Sequence, residues 1–302
     1  MHKQRIRFIS YTSINMKVLS LFDGIACWYE ALQRAWITIE RYYASEVDKY
    51  AIQIATKNHP DIIEIWDVCK VKWEDYQDID LLIWGSPCQW FSKAGKLWNF
   101  EDPRSKLFYE YVRLLKEIKP KYFLLENVAM KKEWQDIISR ELWVEPIEIN
   151  SSLVSAQYRR RLYRTNIPSV SQPKDRWIKL RDITDKTVSD LITYVDWELR
   201  IRQATKQWYI VAEEWDWVDL SYPKSKTRRG RVSKDKSNTI TTQWELYVCE
   251  KILRKLTPVE CERLQTLPDN YTAGVSDTQR YKMLGNGWTV DVIAHIFRYI
   301  TA

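Results

Sequence analysis

Glycine is what this chain most lacks. Ordinary usage of about 7% would give a chain of this length roughly 21 glycines, and it has 7. Histidine is nearly as scarce, at three, and the five cysteines show no paired spacing. No metal-ligand set is therefore legible, and the thiols suit a reducing compartment. No stretch approaches the roughly 20 apolar residues that span a bilayer. The first fifteen residues, MHKQRIRFISYTSIN, hold no apolar core of signal-peptide length. These absences argue against membrane, exported and metal-dependent classes, and the expectation is a cytoplasmic protein.

What is present in excess is tryptophan, with 16 residues, so that glycine and tryptophan together number 23. The remaining composition, 45% hydrophobic and 29% charged with a net charge of +7, is that of a globular chain with a sizeable core.

From Met16 the sequence reads KVLSLFDG, a mixed segment from Glu30 to Ala35, then YYASEVD, which is strand, helix, strand. Asp48 to Asn58 has Ala51, Ile54 and Ala55 on one helical face, with His59-Pro60 as the stop. DIDLLIWGSPCQ is an apolar run entering a turn. Leu107, Phe108, Tyr111, Val112, Leu115 and Ile118 repeat at helical spacing before KYFLLENV, another buried strand. The alternation predicts an α/β fold with a parallel, doubly wound sheet, whose ligands bind at the carboxyl ends of the strands. From about Pro168 to Cys249 the alternation fades and a second, smaller domain is expected. Lys224 to Lys236 carries seven basic residues and one acid, either a solvated face or a phosphate-contacting surface. IAHIFRYI predicts a closing helix.

The chemistry should follow the strand ends. GSPCQ presents the Cys88 thiol just past a strand, where a thiolate could attack an electrophilic carbon, although a lone cysteine is more often a small buried hydrophobe. Glu126 ends the next strand, which places its carboxylate near Cys88 on the same sheet edge. The turn Phe22-Asp23-Gly24 and the acid Glu46 fit a nucleotide-like ligand, Glu46 accepting from ribose hydroxyls. Asp67 could accept from an adenine amino group.

In order from Met16, the segments FDGIAC, SEVD, DV, GSPCQ, ENV, QYRRR, RKLTPVECERLQTLP and GNGWTV resemble the successive motifs of the cytosine-C5 DNA methyltransferases. FDGIA, LTPVECERLQTLPDNYT and GNGWTVDVI are similar to the catalytic domain of the vertebrate de novo enzymes, while the compact length suits a bacterial or phage enzyme. The resemblance implies a Rossmann-like methyltransferase sheet, S-adenosyl-L-methionine (AdoMet) as methyl donor and double-stranded DNA as partner, its target cytosine flipped out of the helix. It makes Cys88 the nucleophile that adds to C6. Glu126 then holds N3 and the exocyclic amine, Arg161 holds O2, and Arg159 supports the loop. It assigns the cofactor to Phe22, Asp23, Gly24, Ile25, Glu46, Val47, Asp67, Val68, Pro87, Asn286 and Trp288, and DNA to Gln89, Ser92, Lys224, Lys226, Arg228, Arg229 and Arg231. The expected divisions are residues 1–15, an extension or a start placed too early; 16–168, catalytic; 169–251, target recognition; and 252–302, returning to the catalytic domain. A monomer is expected, with a cognate restriction endonuclease as possible counterpart. An RNA cytosine methyltransferase acting on transfer RNA is the alternative within this chemistry.

The chain departs from the family mostly at tryptophans. Trp28, Trp36, Trp66, Trp84, Trp90 and Trp143 fall where the family has glycine, and Trp36 and Trp143 sit in helix-to-strand connections where a positive φ is expected. Trp288 matches the family as tryptophan. UGA codons read as glycine in the source cell would explain both the positions and the count. If the tryptophans are real, a catalytically silent DNA-binding homologue becomes the alternative.

Overall fold

The computed structural model describes residues 14–85, 103–185, 199–202, 209–220, 230–240, 246–249 and 253–300. Cys88, Pro87, Gln89, Trp90, Ser92, Lys224, Lys226, Arg228 and Arg229 lie outside them.

Three strands form the spine: β1 (Asn15–Leu21), β4 (Leu81–Gly85) and β5 (Tyr122–Asn127), with β2 (Thr38–Ser45) and β3 (Ile63–Glu64) at one edge. All five run parallel. Beyond β5 the sheet continues through β8 (Arg160–Thr165) to β6 (Ile147–Asn150), giving the order β3-β2-β1-β4-β5-β8-β6. β8 runs antiparallel to both neighbours, so the sheet is mostly, not wholly, parallel. The first strand already pairs at Asn15, with Thr38, and so takes in the last residue of the expected extension.

The spine strands read as near-continuous apolar runs because both faces are covered. Successive side chains point to opposite sides. On one side Val18, Leu81, Ile83 and Leu124 join α1 (Cys27–Arg34) and the closing helix α7 (Val290–Phe297) in one core. On the other Leu19, Leu21, Leu82 and Leu125 pack with Phe108, Tyr111 and Leu114 of α3 (Pro103–Ile118) and with Ile138 and Leu142 of α4 (Lys132–Leu142). Each such fully buried large apolar side chain contributes about 1.5–3 kcal/mol.

Local sequence sets the helix boundaries. Asp48 caps α2 (Lys49–Asn58) by accepting from the Tyr50 amide at 3.0 Å. α5 (Pro258–Leu264) opens with a reciprocal box: the Glu260 amide donates to Thr257 Oγ1 at 3.2 Å and the Thr257 amide to Glu260 Oε2 at 2.8 Å. α6 (Asp277–Asn286) leads to the Gly285-Asn286-Gly287 turn ahead of α7.

The 169–251 region contributes small antiparallel pairings, among them a sheet ordered β12-β11-β14-β15, built from Arg231–Ser233, Trp217–Asp219, Leu246–Cys249 and Leu253–Lys255. One of its segments, β13 (Ser237–Asn238), runs parallel to β7 (Gln157–Tyr158), which opens the QYRRR motif. Among the described residues no helix is long and apolar enough to cross a membrane.

Candidate active site

The carboxyl ends of β1, β2, β4 and β5 gather most of the described candidate residues. β1 turns sharply after Leu21: Phe22 (φ 57°) and Gly24 (φ 63°) both take left-handed backbone. At Gly24 a side chain would meet nothing within 4 Å, so the turn opens on free space there. Between them Asp23 is wholly buried, and its Oδ1 accepts from Ser20 Oγ and from the Tyr42 hydroxyl, each at 2.5 Å. Burial outweighs those two hydrogen bonds and, with Glu46 adding repulsion, pushes Asp23 up to about 7.

Glu46, directly after β2, is held by backbone. Oε2 accepts from the Gly24 amide at 2.9 Å, and Oε1 from the amides of Val47 and Asp48 at 2.7 and 2.8 Å. A carboxylate fixed this way keeps lone pairs for a ligand's hydroxyls. Asp67 caps a short 3-10 turn through the Cys69 amide at 3.0 Å. Phe22 packs against Trp84 with ring centroids 6.1 Å apart.

Two further assignments sit apart from the opening. Ile25 is buried, with its carbonyl taken by the Tyr271 hydroxyl at 2.8 Å, and Val68 is buried in the core. Val47 and Asn286 are exposed. Trp288 is buried against Trp28, 4.5 Å between centroids, and presses so closely on Gly85 that a Cβ there would lie 1.6 Å from its Cζ2.

The sheet register joins the other half of the site. Gly85, three residues before Cys88, pairs directly with Glu126. Glu126 is buried and forms an ion pair with Arg161, Nε to Oε1 at 2.8 Å. A buried pair of this kind fixes both groups, since removing either partner strands a charge. Arg159 is buried behind them. Its guanidinium donates to the carbonyls of Gly287 (2.7 Å), Gly285 (3.4 Å) and Ile240 (3.2 Å), tying the end of α6 and the 169–251 region to QYRRR. Arg231 pairs with Asp219 within its own small sheet.

The QYRRR motif, expected as a loop that Arg159 supports, spans β7 and the start of β8. Glu64, at the end of β3, was not among the expected site residues. The Glu64 carboxylate accepts no hydrogen bond, and burial first, then the charges of Asp23 and Glu46, push it up to about 7. An acid inside the apolar run IIEIW was the available signal.

The chain also resembles known proteins over most of its length. The family model for C-5 cytosine-specific DNA methylases matches residues 16–136 and 136–302. The chain is 32% identical, over 92% of its own length and 76% of the relative's, to type II methyltransferase M1.ScrFI of Lactococcus lactis subsp. cremoris. It is 29% identical, over 95% and 96%, to type II methyltransferase M.NlaX of Neisseria lactamica. Among solved structures, the Dnmt2 methyltransferase of S. pombe superposes with a TM-score of 0.65 at 18% identity, covering 94% of this chain and 97% of that one, which speaks to the fold. With a family match running almost from end to end, the chain belongs to the C-5 cytosine-specific DNA methylases.

Proposed function

We propose that the chain methylates C5 of a cytosine in double-stranded DNA, through a covalent bond from Cys88 to C6, with AdoMet as the methyl donor. The observation that carries the reading is the pairing of Gly85 with Glu126 beside the buried Glu126–Arg161 ion pair. It supports a site in which the thiol-bearing segment leaves the sheet next to the groups that hold the base.

The residues divide the work as follows. Addition of the Cys88 thiolate to C6 breaks the C5=C6 double bond and places negative charge on the ring. A proton shared between the Glu126 carboxyl and N3 neutralises that charge, the same carboxyl accepts from the exocyclic amine, and Arg161 donates to O2, in a position already fixed by Glu126. After C5 is alkylated, loss of its proton restores the double bond and expels the Cys88 sulfur. Arg159 supports the Arg161 segment by tying it to the carbonyls of Gly285, Gly287 and Ile240.

The residues present fit AdoMet. Asp23 Oδ2 and both oxygens of Glu64 lack hydrogen-bond partners, and together with Glu46 they form an acidic cluster beside the open Gly24 turn. A ligand carrying a sulfonium and an ammonium suits such a cluster. When bound, AdoMet supplies an electrophilic methyl group. Glu46 would hold the ribose, Asp67 the adenine amino group, Phe22 the adenine face and Asn286 the amino-acid end. Residues 16–168 and 252–302 would then be the catalytic unit and 169–251 the base-reading unit. The reading extends to a monomer working in the cytoplasm of a bacterial or phage-infected cell, and the type II names of two relatives support a cognate restriction endonuclease.

The test is transfer of labelled methyl groups to duplex DNA and, in parallel, to transfer RNA. Transfer to DNA that disappears in Cys88→Ala is the expected result. Retained transfer in that variant refutes the mechanism, and transfer to RNA alone refutes the substrate.

A further inference from the structure

Among the described residues thirteen non-glycines take left-handed backbone, and five of them are tryptophans: Trp36 (φ 62°), Trp66 (60°), Trp143 (58°), Trp177 (56°) and Trp215 (71°). A bulky residue, without the short polar group that lets Asn or Asp settle there, should be nearly absent from this region.

Three of the five occupy places that ask for glycine by their geometry. α1 ends in a paired motif: the Ile37 amide donates to the Leu32 carbonyl at 3.1 Å and the Trp36 amide to the Gln33 carbonyl at 3.0 Å. That puts Trp36 at the position glycine usually fills. Trp143 follows α4 directly with φ 58° and ψ 25°. Trp215 is the third residue of a turn closed by the Asp216 amide on the Glu213 carbonyl at 3.1 Å, a position where positive φ selects glycine.

Nor do the side chains compensate. Trp36, Trp66, Trp143 and Trp177 are exposed, so their indoles bury little. The buried tryptophans add an independent sign. The indole N–H groups of Trp28, Trp84 and Trp217 are enclosed without an acceptor, whereas a buried tryptophan normally finds one, and of these Trp28 and Trp84 also stand at glycine positions of the family pattern. Trp288 behaves differently: its indole fills the space that only a glycine at 85 leaves open, so that glycine and that tryptophan fit each other.

We propose that the natural protein carries glycine at positions 36, 66, 143, 177 and 215, encoded by UGA codons that the source cell reads as glycine, and that positions 28 and 84 share this origin. UGA differs from the tryptophan codon UGG in one base, and its meaning varies between genetic codes. A single reassignment thus explains the glycine shortage, the tryptophan excess and the backbone geometry together. Positions 177 and 215 follow from the backbone alone.

The decisive experiment is peptide mass spectrometry of the protein isolated from the cells that encode it, with the gene sequenced alongside. Glycine at the five positions, with tryptophan kept at 288, is the expected result, matched by UGA at the five codons and UGG at 288. Tryptophan at any of the five, or UGG at its codon, overturns the proposal.

Discussion

Replacing Trp36, Trp143 and Trp177 by glycine in the chain as written should stabilise it, although three large side chains are lost. Holding an L-residue in the left-handed region costs about 1–2 kcal/mol. Glycine removes that strain and returns about 0.5–1 kcal/mol as unfolded-state entropy, a net gain of about 0.5–1 kcal/mol per site. Little burial offsets the gain, because the three residues are 87%, 88% and 78% exposed. The triple variant should therefore gain about 2 kcal/mol, which for a chain of this size raises Tm by about 3 °C. Trp73 supplies the opposite sign: at 37% it is much less exposed than those three, it sits in a short 3-10 turn, and it is not among the positive-φ residues. Trp73→Gly should lower stability by about 1 kcal/mol or more. Thermal and urea unfolding of both variants provide the measurement. A triple variant less stable than the parent would refute the argument from backbone strain, whatever the codons say.

Three other outcomes are expected. Glu126→Gln should reduce methyl transfer about 10²–10³-fold while leaving AdoMet affinity, measured by calorimetry, unchanged; a parallel loss of AdoMet binding would place Glu126 elsewhere in the chemistry. Asp23, raised in the folded state to about 7 from an ordinary 3.8, holds its proton more tightly when folded. The stability this group contributes is therefore fully present below about pH 4 and is lost as pH rises through about 7, and Asp23→Asn should flatten part of that slope in denaturant titrations, Glu64 contributing the same sign. Arg159→Lys cannot reach three carbonyls with one ammonium, so it should cost about 2–4 kcal/mol through buried acceptors left unmet, seen as a lowered unfolding midpoint.

The parts of the fold legible in the sequence were those where one cause dominates. β1, β4 and β5 announce themselves because both faces are buried, leaving apolar runs that no surface strand would show. α2 is legible from its Asp48 cap and its apolar face. β8 was not, since RRLYRT looks like a basic loop. Arg161 and Arg164 are buried because partners far along the chain receive them: Arg161 meets Glu126, and Arg164 donates to Ser139 Oγ at 3.2 Å and to the Gln135 carbonyl at 3.1 Å. Burial holds Arg164 down at about 10. Such pairings depend on tertiary neighbours, which periodicity does not encode. The same holds for the short strands after residue 199, where two to four residues give no period to read. Within the site, Glu46 and Glu126 could be placed because acids at strand ends stand out. Glu64 left only the faint signal of an acid inside IIEIW, because its significance lies in having Asp23 and Glu46 nearby.

The union of β13 with β7, reinforced by the Arg159 grip on the Ile240 carbonyl, bears on how far the chain is modular. The region between residues 169 and 251 looks like an exchangeable cassette, joined at two points of the sequence. Its residues 237–240, however, complete backbone pairings that begin in the motif of Arg159 and Arg161. A chimaera that imports another such region must therefore bring a strand able to replace Ser237–Asn238 and a carbonyl able to replace that of Ile240. A graft matched only at the two chain junctions would leave β7 unpaired and the Arg159 guanidinium short of one acceptor, so the workable seams of this enzyme run through three dimensions rather than along the sequence.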